Sequence, residues 1–562
     1  MAPTDYRADA FFETTKRLLA QLINEGLVHA DIYPSKGGPG YLLSLRSIRS
    51  VDKPKVISVT VHVKQEGYLD INANGVLPVV RPEYLEGPTT LEFANRDTIH
   101  EADPSRIFGS ICSWLNSGSL GATAVEKLAH ELHSTALNQE KWFKHHIHQE
   151  QLDLNSPAVA WEQCIVHGHP THPFHRLCYA QPPLHAAPLD DLHDFLVPEL
   201  SLVSVPRAML RINGPFENLM SPLLQKLNVR TVPEDRVVVP CFTKQLPSIE
   251  RAFPEAVPVA SIVDGADAQA SMRSVVLRPH LGVDYILKMS LGYRITSTVR
   301  TMASWVIPEV RFMSGLLEEL LPSALWIYRE VAGVTGAGSN LEDTRQISCI
   351  IRENLESRAL ANGQALIVAA SLYQVPAGTS KTYAEILFRL DTWEKKIAWF
   401  RRYIASLCDA VLPPLAMYGI ALEAHAQNIV LRVCRQSSEL RGFAVRDWGG
   451  VRLHKSTMHK LGIQLPAVDR ESRAILDDLH RIWRRFHHAF LQNHVASEET
   501  RGGWAIVRGE LARVLDRSEY AMGPSLLNYL LADVMQMRCF LTDRLEGRPE
   551  PVMRHVPNVV LR

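Results

Sequence analysis

Apolar positions in the first part of the chain follow two different spacings. Phe11, Leu18 and Leu22 recur at intervals near 3.6 residues, which predicts an amphipathic helix. The run at 56–63 is rich in β-branched residues and predicts a strand. A longer helical pattern covers 105–148. The first part of the chain is therefore predicted to mix helices with strands.

Short apolar runs rich in β-branched residues characterise the middle of the chain. Four of them predict strands, at 202–205, 237–239, 275–277 and 285–287. Between about 297 and 360 the spacing becomes helical. Two long apolar stripes then predict helices at 393–415, ended by Pro413 and Pro414, and at 472–494.

These patterns predict an α+β fold in three parts, with mixed sheets and a mainly helical C-terminal part. The chain has 562 residues, enough for about three domains. A turn signal at 155–157 indicates the first boundary. We predict an N-terminal domain at 1–154, a middle domain at 155–385 and a C-terminal domain at 386–562.

Composition excludes several classes of protein. The 60 basic and 60 acidic side chains balance, which argues against a nucleic-acid partner. No secretory signal and no apolar stretch near the ~20 residues of a membrane span is present, so we expect a cytoplasmic protein. The eight Cys residues form no C-x-x-C pair, which argues against a disulfide framework or a thiolate zinc site.

The first candidate for chemistry is the segment 162–176, which begins at Glu162 and contains the loop G-H-P-T-H-P-F-H-R at 168–176. His169 and His172 each precede a proline, which holds the backbone of both residues in extended geometry. Histidines positioned in this way suit proton transfer or the binding of an anion. A structural Pro-rich linker is the alternative interpretation, and the spacing does not separate the two.

The second candidate concentrates basic and hydroxyl residues at 271–274 and 288–301. If 287–295 is one strand, Lys288 and Arg294 share a face. Thr296 and Ser297 would then cap a helix that carries Arg300 in its first turn. Phosphates bind to such combinations of hydroxyls, N–H groups and cations. A strand and helix with a solvated basic face would give the same composition.

The third candidate is E-A-H-A-Q-N at 423–428, followed by Arg446 and Asp447. In an extended run Glu423, His425 and Gln427 point to one side. Carboxylate and amide oxygens of the kind found in these two segments are preferred by Mg²⁺. An internal hydrogen-bond network between the segments is the alternative.

Taken in order, these three segments resemble the siderophore synthetases that are independent of nonribosomal peptide synthetases (NRPS), the IucA/IucC or aerobactin synthetase family. The matching strings are G-H-P-x-H-P at 168–173, K-x-S followed by I-T-S-x-x-R at 288–300, and E-A-H-x-Q-N with a later R-D. The resemblance implies a hand-like architecture of thumb, fingers and palm, with ATP between fingers and palm.

The resemblance also implies roles for individual residues. ATP phosphates and ribose would be held by Ser271, Arg273, Ser274, Lys288, Thr296, Ser297 and Arg300. The palm would contribute His425, Gln427 and Asn428 to the nucleotide, and Glu423 and Asp447 to Mg²⁺. The carboxylic acid would face His169, His172 and Arg176.

The activity implied is the adenylation of a carboxylic acid by ATP, followed by condensation with an amine, hydroxylamine or alcohol and release of AMP and pyrophosphate. Either His169 or His172 would take the proton of the nucleophile. Cys178 stands where the family has Arg, and Arg176 where it has Lys, which puts citrate in question as the acid more than it does adenylation. A homodimer is a common state for enzymes of this size.

Three alternatives remain open at this point. The same ligase chemistry could serve a secondary metabolite unrelated to iron. A relative without catalytic activity could act as a binding protein. A metal-dependent hydrolase could use the histidines at 145–148.

Overall fold

The structure is a computed structural model. It describes residues 5–35, 40–51, 54–64, 79–115, 122–185, 192–229, 232–466, 472, 474–495, 503–547 and 550–561. Among these residues, no helix is long and apolar enough to cross a membrane.

The N-terminal part is a five-stranded antiparallel sheet packed against three helices. The strands follow one another in chain order: β1 (His29–Pro34), β2 (Tyr41–Arg46), β3 (Val56–Val63), β4 (Leu85–Phe93) and β5 (Thr98–His100). The helices are α1 (Tyr6–Asn24), α2 (Pro104–Leu115) and α3 (Ala122–His146). The carboxylate of Asp5 accepts the backbone N–H of Ala8 and begins α1. The helices predicted around Leu18 and at 105–148 and the strand at 56–63 are all present.

The middle part is built mainly from three antiparallel sheets, of order β11-β12-β13-β18-β17-β8, β10-β7-β9 and β15-β14-β6. Its strands are β6 (Cys178–Ala180), β7 (Leu200–Pro206), β8 (Leu210–Asn213), β9 (Arg236–Phe242), β10 (Val257–Ile262), β11 (Ala266–Ala268), β12 (Ser274–Leu277), β13 (Tyr285–Met289), β14 (Leu291–Ile295), β15 (Thr298–Arg300), β16 (Trp326–Ile327), β17 (Glu330–Gly336), β18 (Ser348–Glu353) and β19 (Gln364–Val368). Its helices are α4 (Ala158–Gln163), α5 (His193–Leu196), α6 (Phe216–Lys226), α7 (Leu246–Ala252), α8 (Val306–Leu320), α9 (Leu341–Thr344), α10 (Glu356–Ala361) and α11 (Tyr383–Leu387).

The C-terminal part is mainly helical. Its helices are α12 (Trp393–Tyr418), α13 (Lys455–Lys460), α14 (Leu479–Phe486), α15 (Gly503–Leu515), α16 (Gly523–Leu530) and α17 (Phe540–Glu546). Its strands are β20 (Ile420–Ala421), β21 (Ile429–Cys434), β22 (Leu440–Val445), β23 (Arg452–His454), β24 (Ile475–Leu476), β25 (Val534–Arg538) and β26 (Met553–Pro557). Strands β16, β22, β21 and β19 form one sheet, so the middle and C-terminal parts are joined through a shared sheet.

The predicted helical region at 297–360 is wrong except for α8 and the short helices α9 and α10. Strands β15, β17 and β18 occupy much of that range. Nearly all residues of β17 and β18 are buried, so polar and apolar residues alike face the interior, and the alternation that indicates a strand is missing.

Two predicted helix bounds in the C-terminal part are also wrong. Helix α12 continues through Pro413 and Pro414 and ends at Gly419, whose φ of 69° terminates it. The carbonyls that lose their partners belong to Asp409 and Ala410, which are not buried, so water can bind them. The predicted helix at 472–494 begins only at Leu479, after β24, and widens into a π-helix at His487–Val495.

Three large hydrophobic clusters form the core. The first contains Leu18, Val59 and Leu132, the second joins β7, β9 and β13, and the third surrounds α12. Trp161 and residues of α8 pack into the third cluster, whereas Leu541 packs into the first. The α+β class is confirmed, while the boundaries at 154 and 385 stay a prediction.

Candidate active site

A cavity of about 410 Å³ lies where the three parts meet, a size typical of small-molecule sites. Nine of the predicted site residues line it: His169, His172, Arg176, Thr296, Ser297, Arg300, Glu423, His425 and Gln427. Six predicted residues are not part of the lining: Ser271, Arg273, Ser274, Lys288, Asn428 and Asp447. Of these, Asn428 contacts the lining residue His425, and the charges of Arg273 and Asp447 act on the lining residue Arg300.

The first wall is the histidine loop, residues 168–176. Nδ1 of His169 accepts the backbone N–H groups of Thr171 at 3.3 Å and of His172 at 3.2 Å. Nδ1 of His172 accepts the N–H of Phe174 at 3.0 Å. Burial lowers the pKa of His169 to about 3 and holds that of His172 well below its usual range. Both rings are therefore neutral and carry their proton on Nε2, which makes them hydrogen-bond donors.

The next residues of the loop have structural partners. His175 lies between the carbonyl of His167, 2.8 Å from its Nδ1, and the hydroxyl of Thr14. Arg176 donates Nε to the carbonyl of Val166 at 3.0 Å, and its guanidinium lies over the ring of Trp142 at 3.9 Å. Arg176 therefore reaches the cavity wall with two of its nitrogens already bonded to backbone carbonyls.

The second wall is a β-hairpin, which corrects the predicted strand and helix cap. The run at 287–295 is two strands, β13 and β14, which belong to different sheets. Thr296 and Ser297 form the turn between β14 and β15, with Thr296 at a φ of 60°. Arg300 consequently lies in β15 opposite Leu291 and not in a helix. A tight turn with a left-handed residue serves a hairpin better than a helix start.

Arg300 is the cation of this hairpin that lines the cavity, and it has unmet hydrogen-bonding capacity. Burial is the main cause that lowers its pKa to about 10; Arg273 acts in the same direction, and Asp447 and Glu423 oppose it. Its Nε, like the hydroxyl of Ser271, is buried and has no hydrogen-bond partner among the described residues. Buried donors without partners fit an anion with several acceptor oxygens, such as a phosphate group.

Behind this hairpin lies a charged network. Nζ of Lys288 is 2.8 Å from Oδ1 of Asp447 and 3.5 Å from Oε1 of Glu330. Arg352 donates to the same Glu330 oxygen at 2.7 Å. Burial alone would raise the pKa of Asp447, but Lys288, Arg352 and Arg273 hold it well below its usual range. The Asp447 carboxylate therefore stays ionised inside the protein.

The third wall is a turn and not the predicted extended run. The N–H of Asn428 donates to the carbonyl of His425 at 2.8 Å. Nδ2 of Asn428 donates to Nε2 of His425 at 3.2 Å and to the carbonyl of Glu423 at 3.2 Å. Glu423, His425 and Gln427 nevertheless all line the cavity. Burial lowers the pKa of His425, which is neutral with its proton on Nδ1.

The residues offered for Mg²⁺ are already paired with cations. Glu423 forms an ion pair with Arg485, and its carboxylate lies so close to Gly450 that any Cβ there would collide with it. Asp447 is paired with Lys288. In the part of the chain that is described, no group of three His, Cys, Asp or Glu side chains could hold a metal. These carboxylates fit Mg²⁺ only as a partial ligand set completed by phosphates and water.

Several residues of the site carry no sequence signal. The buried pair Glu162 and Arg446 connects the walls, because Arg446 donates to the carbonyl of Gln427 at 2.6 Å and Glu162 accepts the N–H of Ala270 at 3.2 Å. The R-D string indicated Arg446, whereas Glu162 began the first candidate segment but was assigned no role. Arg485, His488, Arg538 and Phe540, from the C-terminal part, also line the cavity. Sequence reasoning missed these four residues because they lie far along the chain from the recognisable motifs.

The comparisons with known proteins agree with this arrangement. The IucA / IucC family profile matches residues 207–374, and the profile described as "Ferric iron reductase FhuF-like transporter" matches residues 397–553. The NRPS-independent siderophore synthetase-like protein ankE of Aspergillus thermomutatus is 40% identical over 552 residues, which cover 95% of this chain and 90% of that protein. The chain therefore belongs to the family of NRPS-independent siderophore synthetases.

Solved structures share the fold. The petrobactin biosynthesis protein AsbB of Bacillus anthracis superposes with a TM-score of 0.79 at 16% identity, over 99% of this chain and 96% of that one. ATP-bound aerobactin synthetase IucA from Klebsiella pneumoniae superposes with a TM-score of 0.72 at 16% identity, over 99% of both chains. At such low identity the likeness establishes the fold.

Proposed function

We propose that this chain activates a carboxylic acid with ATP and joins the acyl group to an amine, hydroxylamine or alcohol in siderophore biosynthesis. The observation that carries the proposal is the composition of one cavity. It combines a buried cationic donor that lacks a partner among the described residues, Nε of Arg300 on the hairpin, with uncharged histidine donors on the opposite loop. The cationic donor suits phosphates and the histidine donors suit a carboxylate.

In the first half-reaction a carboxylate oxygen attacks the α-phosphorus of ATP. A P–O bond forms, the bond to the β-phosphate breaks, and pyrophosphate leaves. Arg300, Arg273 and Lys288 offset the negative charge that accumulates as both anions approach. Mg²⁺, held by Asp447 and Glu423 together with the phosphates, would supply further charge compensation.

In the second half-reaction the nucleophile attacks the acyl carbon, and AMP leaves with the electron pair of the C–O bond. We assign His169 and His172 to binding the acid through Nε2–H, in preference to accepting a proton, because Nδ1 of each ring is occupied by backbone N–H groups. Arg176 would support the loop through the carbonyl of Val166. An enzyme that consumes ATP in this way belongs in the cytosol, and a homodimer remains our expectation.

The relatives support this proposal. Their names describe siderophore synthetases, and one solved structure of the same fold contains ATP. We expect a small-molecule acid and an amine-type nucleophile as substrates, with no nucleic acid or membrane involved.

The test is to incubate the protein with ATP, Mg²⁺, hydroxylamine and single acids, including citrate, 2-oxoglutarate and succinyl derivatives. We expect pyrophosphate and hydroxamate to appear together, in proportion, with one class of acid. ATP binding without acid-dependent pyrophosphate release across the panel would contradict the proposal and favour a relative without catalytic activity. Iron binding by the purified product would distinguish a siderophore from another metabolite.

A further inference from the structure

A second, smaller cavity adjoins the large one. It has a volume of about 70 Å³, enough for about five water molecules and hence for a small organic group. Four residues line both cavities: Pro170, His488, Arg538 and Phe540. The function proposed above leaves this space unassigned.

The walls of the smaller cavity are largely apolar, with one unsatisfied acceptor. Val80, Trp504, Met535 and Met537 contribute apolar surface. Nε2 of Gln21 donates to the carbonyl of Thr171 at 3.1 Å, which orients its amide and leaves Oε1 as the acceptor. That oxygen is buried and has no hydrogen-bond partner within the described ranges, and Gln21 is only 3% exposed. A ligand with an N–H group and a short carbon body would satisfy both features.

His488, at the junction of the cavities, has the opposite tautomer to His169 and His172. Nε2 of Gln492 donates to the carbonyl of Gln536 at 3.0 Å, so its Oε1 must be the atom 3.2 Å from Nδ1 of His488. Nδ1 of His488 therefore carries the proton, and Nε2 presents a lone pair. His488 lies in the π-helix at His487–Val495, and π-helical turns are frequent at functional sites.

The surroundings of His488 keep it unprotonated before substrates bind. Burial is the main cause that lowers its pKa to about 3, the nearby cations Arg485 and Arg538 and the ring of His487 act in the same direction, and Gln492 opposes them. An acyl phosphate bound beside Arg485 and Arg538 would offset their charge and increase the affinity of His488 for a proton.

We propose that the smaller cavity binds the amine nucleophile, that Oε1 of Gln21 accepts one of its N–H groups, and that Nε2 of His488 receives its proton during condensation. The C–N bond forms as the acyl C–O bond to AMP breaks, the electron pair leaves with AMP, and the imidazolium then returns the proton to solvent. This inference rests on the proposed adenylation and concerns its second step.

The test compares the two half-reactions in His488→Asn. The Asn amide can still donate to Gln492 but lacks Nε2, and His480→Asn, an exposed position on α14, is the matched control. With the acid that supports pyrophosphate release by the wild type and n-butylamine as probe, we expect condensation to fall about 100-fold in His488→Asn. Acid-dependent ATP–pyrophosphate exchange should change at most a few-fold, and added imidazole should restore part of the condensation.

A second variant tests the cavity itself. Gln21→Leu removes the acceptor, and we expect KM for n-butylamine to rise about tenfold, with a smaller effect on hydroxylamine. Condensation at the wild-type rate in His488→Asn, or loss of exchange in that variant, would overturn the role of His488. Hydroxylamine capture without capture of any carbon-bearing amine by the wild type would overturn the cavity assignment. No exchange in the wild type would instead refute the adenylation proposal.

Discussion

Two walls of the same cavity respond to burial in opposite ways. We define the charged wall as Arg300, which lines the cavity, together with Arg273, Lys288, Glu330 and Asp447, which lie behind it. Lys288 contacts two carboxylates, and nearby cations hold the pKa of Asp447 down. In the histidine loop, His169 and His172 accept backbone N–H groups, and burial lowers the pKa of both rings.

This difference between the two walls shows how one buried site can bind two anions, the phosphates of ATP and a carboxylate. Burial removes a charge unless a counter-charge is close, so paired residues keep full charges for phosphates while unpaired rings become neutral donors. The four predictions below would break or sharpen this contrast, from the largest expected effect to the smallest.

The largest effect is expected from Arg300→Ala. We expect acid-dependent ATP–pyrophosphate exchange to fall about 10³-fold, because the variant loses a cationic donor directed at the phosphates. The melting temperature should not fall, since Nε of Arg300 has no protein partner among the described residues. Arg278→Ala, which removes an exposed ion pair with Asp267 away from the cavity, is the control. Near-normal ATP–pyrophosphate exchange in Arg300→Ala would contradict the proposal that the hairpin binds the phosphates of ATP.

Glu330→Gln tests whether the charged wall needs its counter-charge. The Glu330 carboxylate is fully buried and contacts both Lys288 and Arg352, so its loss leaves two buried cations short of a partner. We expect the free energy of unfolding, measured in urea, to fall by about 3 kcal/mol. Glu318→Gln, in an exposed pair with Arg329, should cost about 0–1 kcal/mol. Equal costs for the two variants would mean that burial does not set the strength of this network.

His172→Asn tests the neutral wall through pH. Folding holds the pKa of His172 well below 6.5, so the unfolded chain binds more protons below that pH and wild-type stability falls as pH falls. Asn keeps an acceptor for the N–H of Phe174 but does not titrate. Between pH 6.5 and pH 5, we therefore expect the unfolding free energy of the wild type to fall by about 2 kcal/mol more than that of the variant.

The charged wall should respond in a different pH range. Asp447 has a lowered pKa, so its contribution to stability is present above about pH 4 and is lost as pH falls further. If the difference between His172→Asn and wild type stays constant from pH 6.5 to pH 5, His172 is not a neutral buried ring.

Arg176→Lys should have the smallest effect on activity. Lys cannot reproduce the paired contacts with the carbonyls of Ile165 and Val166, and we expect about 1 kcal/mol of lost stability. KM for the acid should change less than about threefold, which corresponds to about 0.65 kcal/mol of binding free energy. A much larger rise in KM, without loss of stability, would show that Arg176 holds the acid after all.

Motif order predicted the family correctly, and the structure brings nine of the predicted residues to one cavity. Their local conformation was harder to predict. Thr296 and Ser297 were predicted to cap a helix, because hydroxyl residues favour both helix caps and turns. The pairing of β14 with β15 makes that segment a hairpin, and β14 also pairs with β6, whose residues lie more than 100 positions away.

The sequence by itself determined the α+β class, most elements with a clear period, and the residue types available to phosphates and a carboxylate. These depend on neighbouring residues, so a local pattern carries them. The tertiary structure alone decided the burial of Glu330 and the meeting of Glu162 with Arg446. Each of these depends on which groups burial brings together from distant segments, and no spacing along the chain records that.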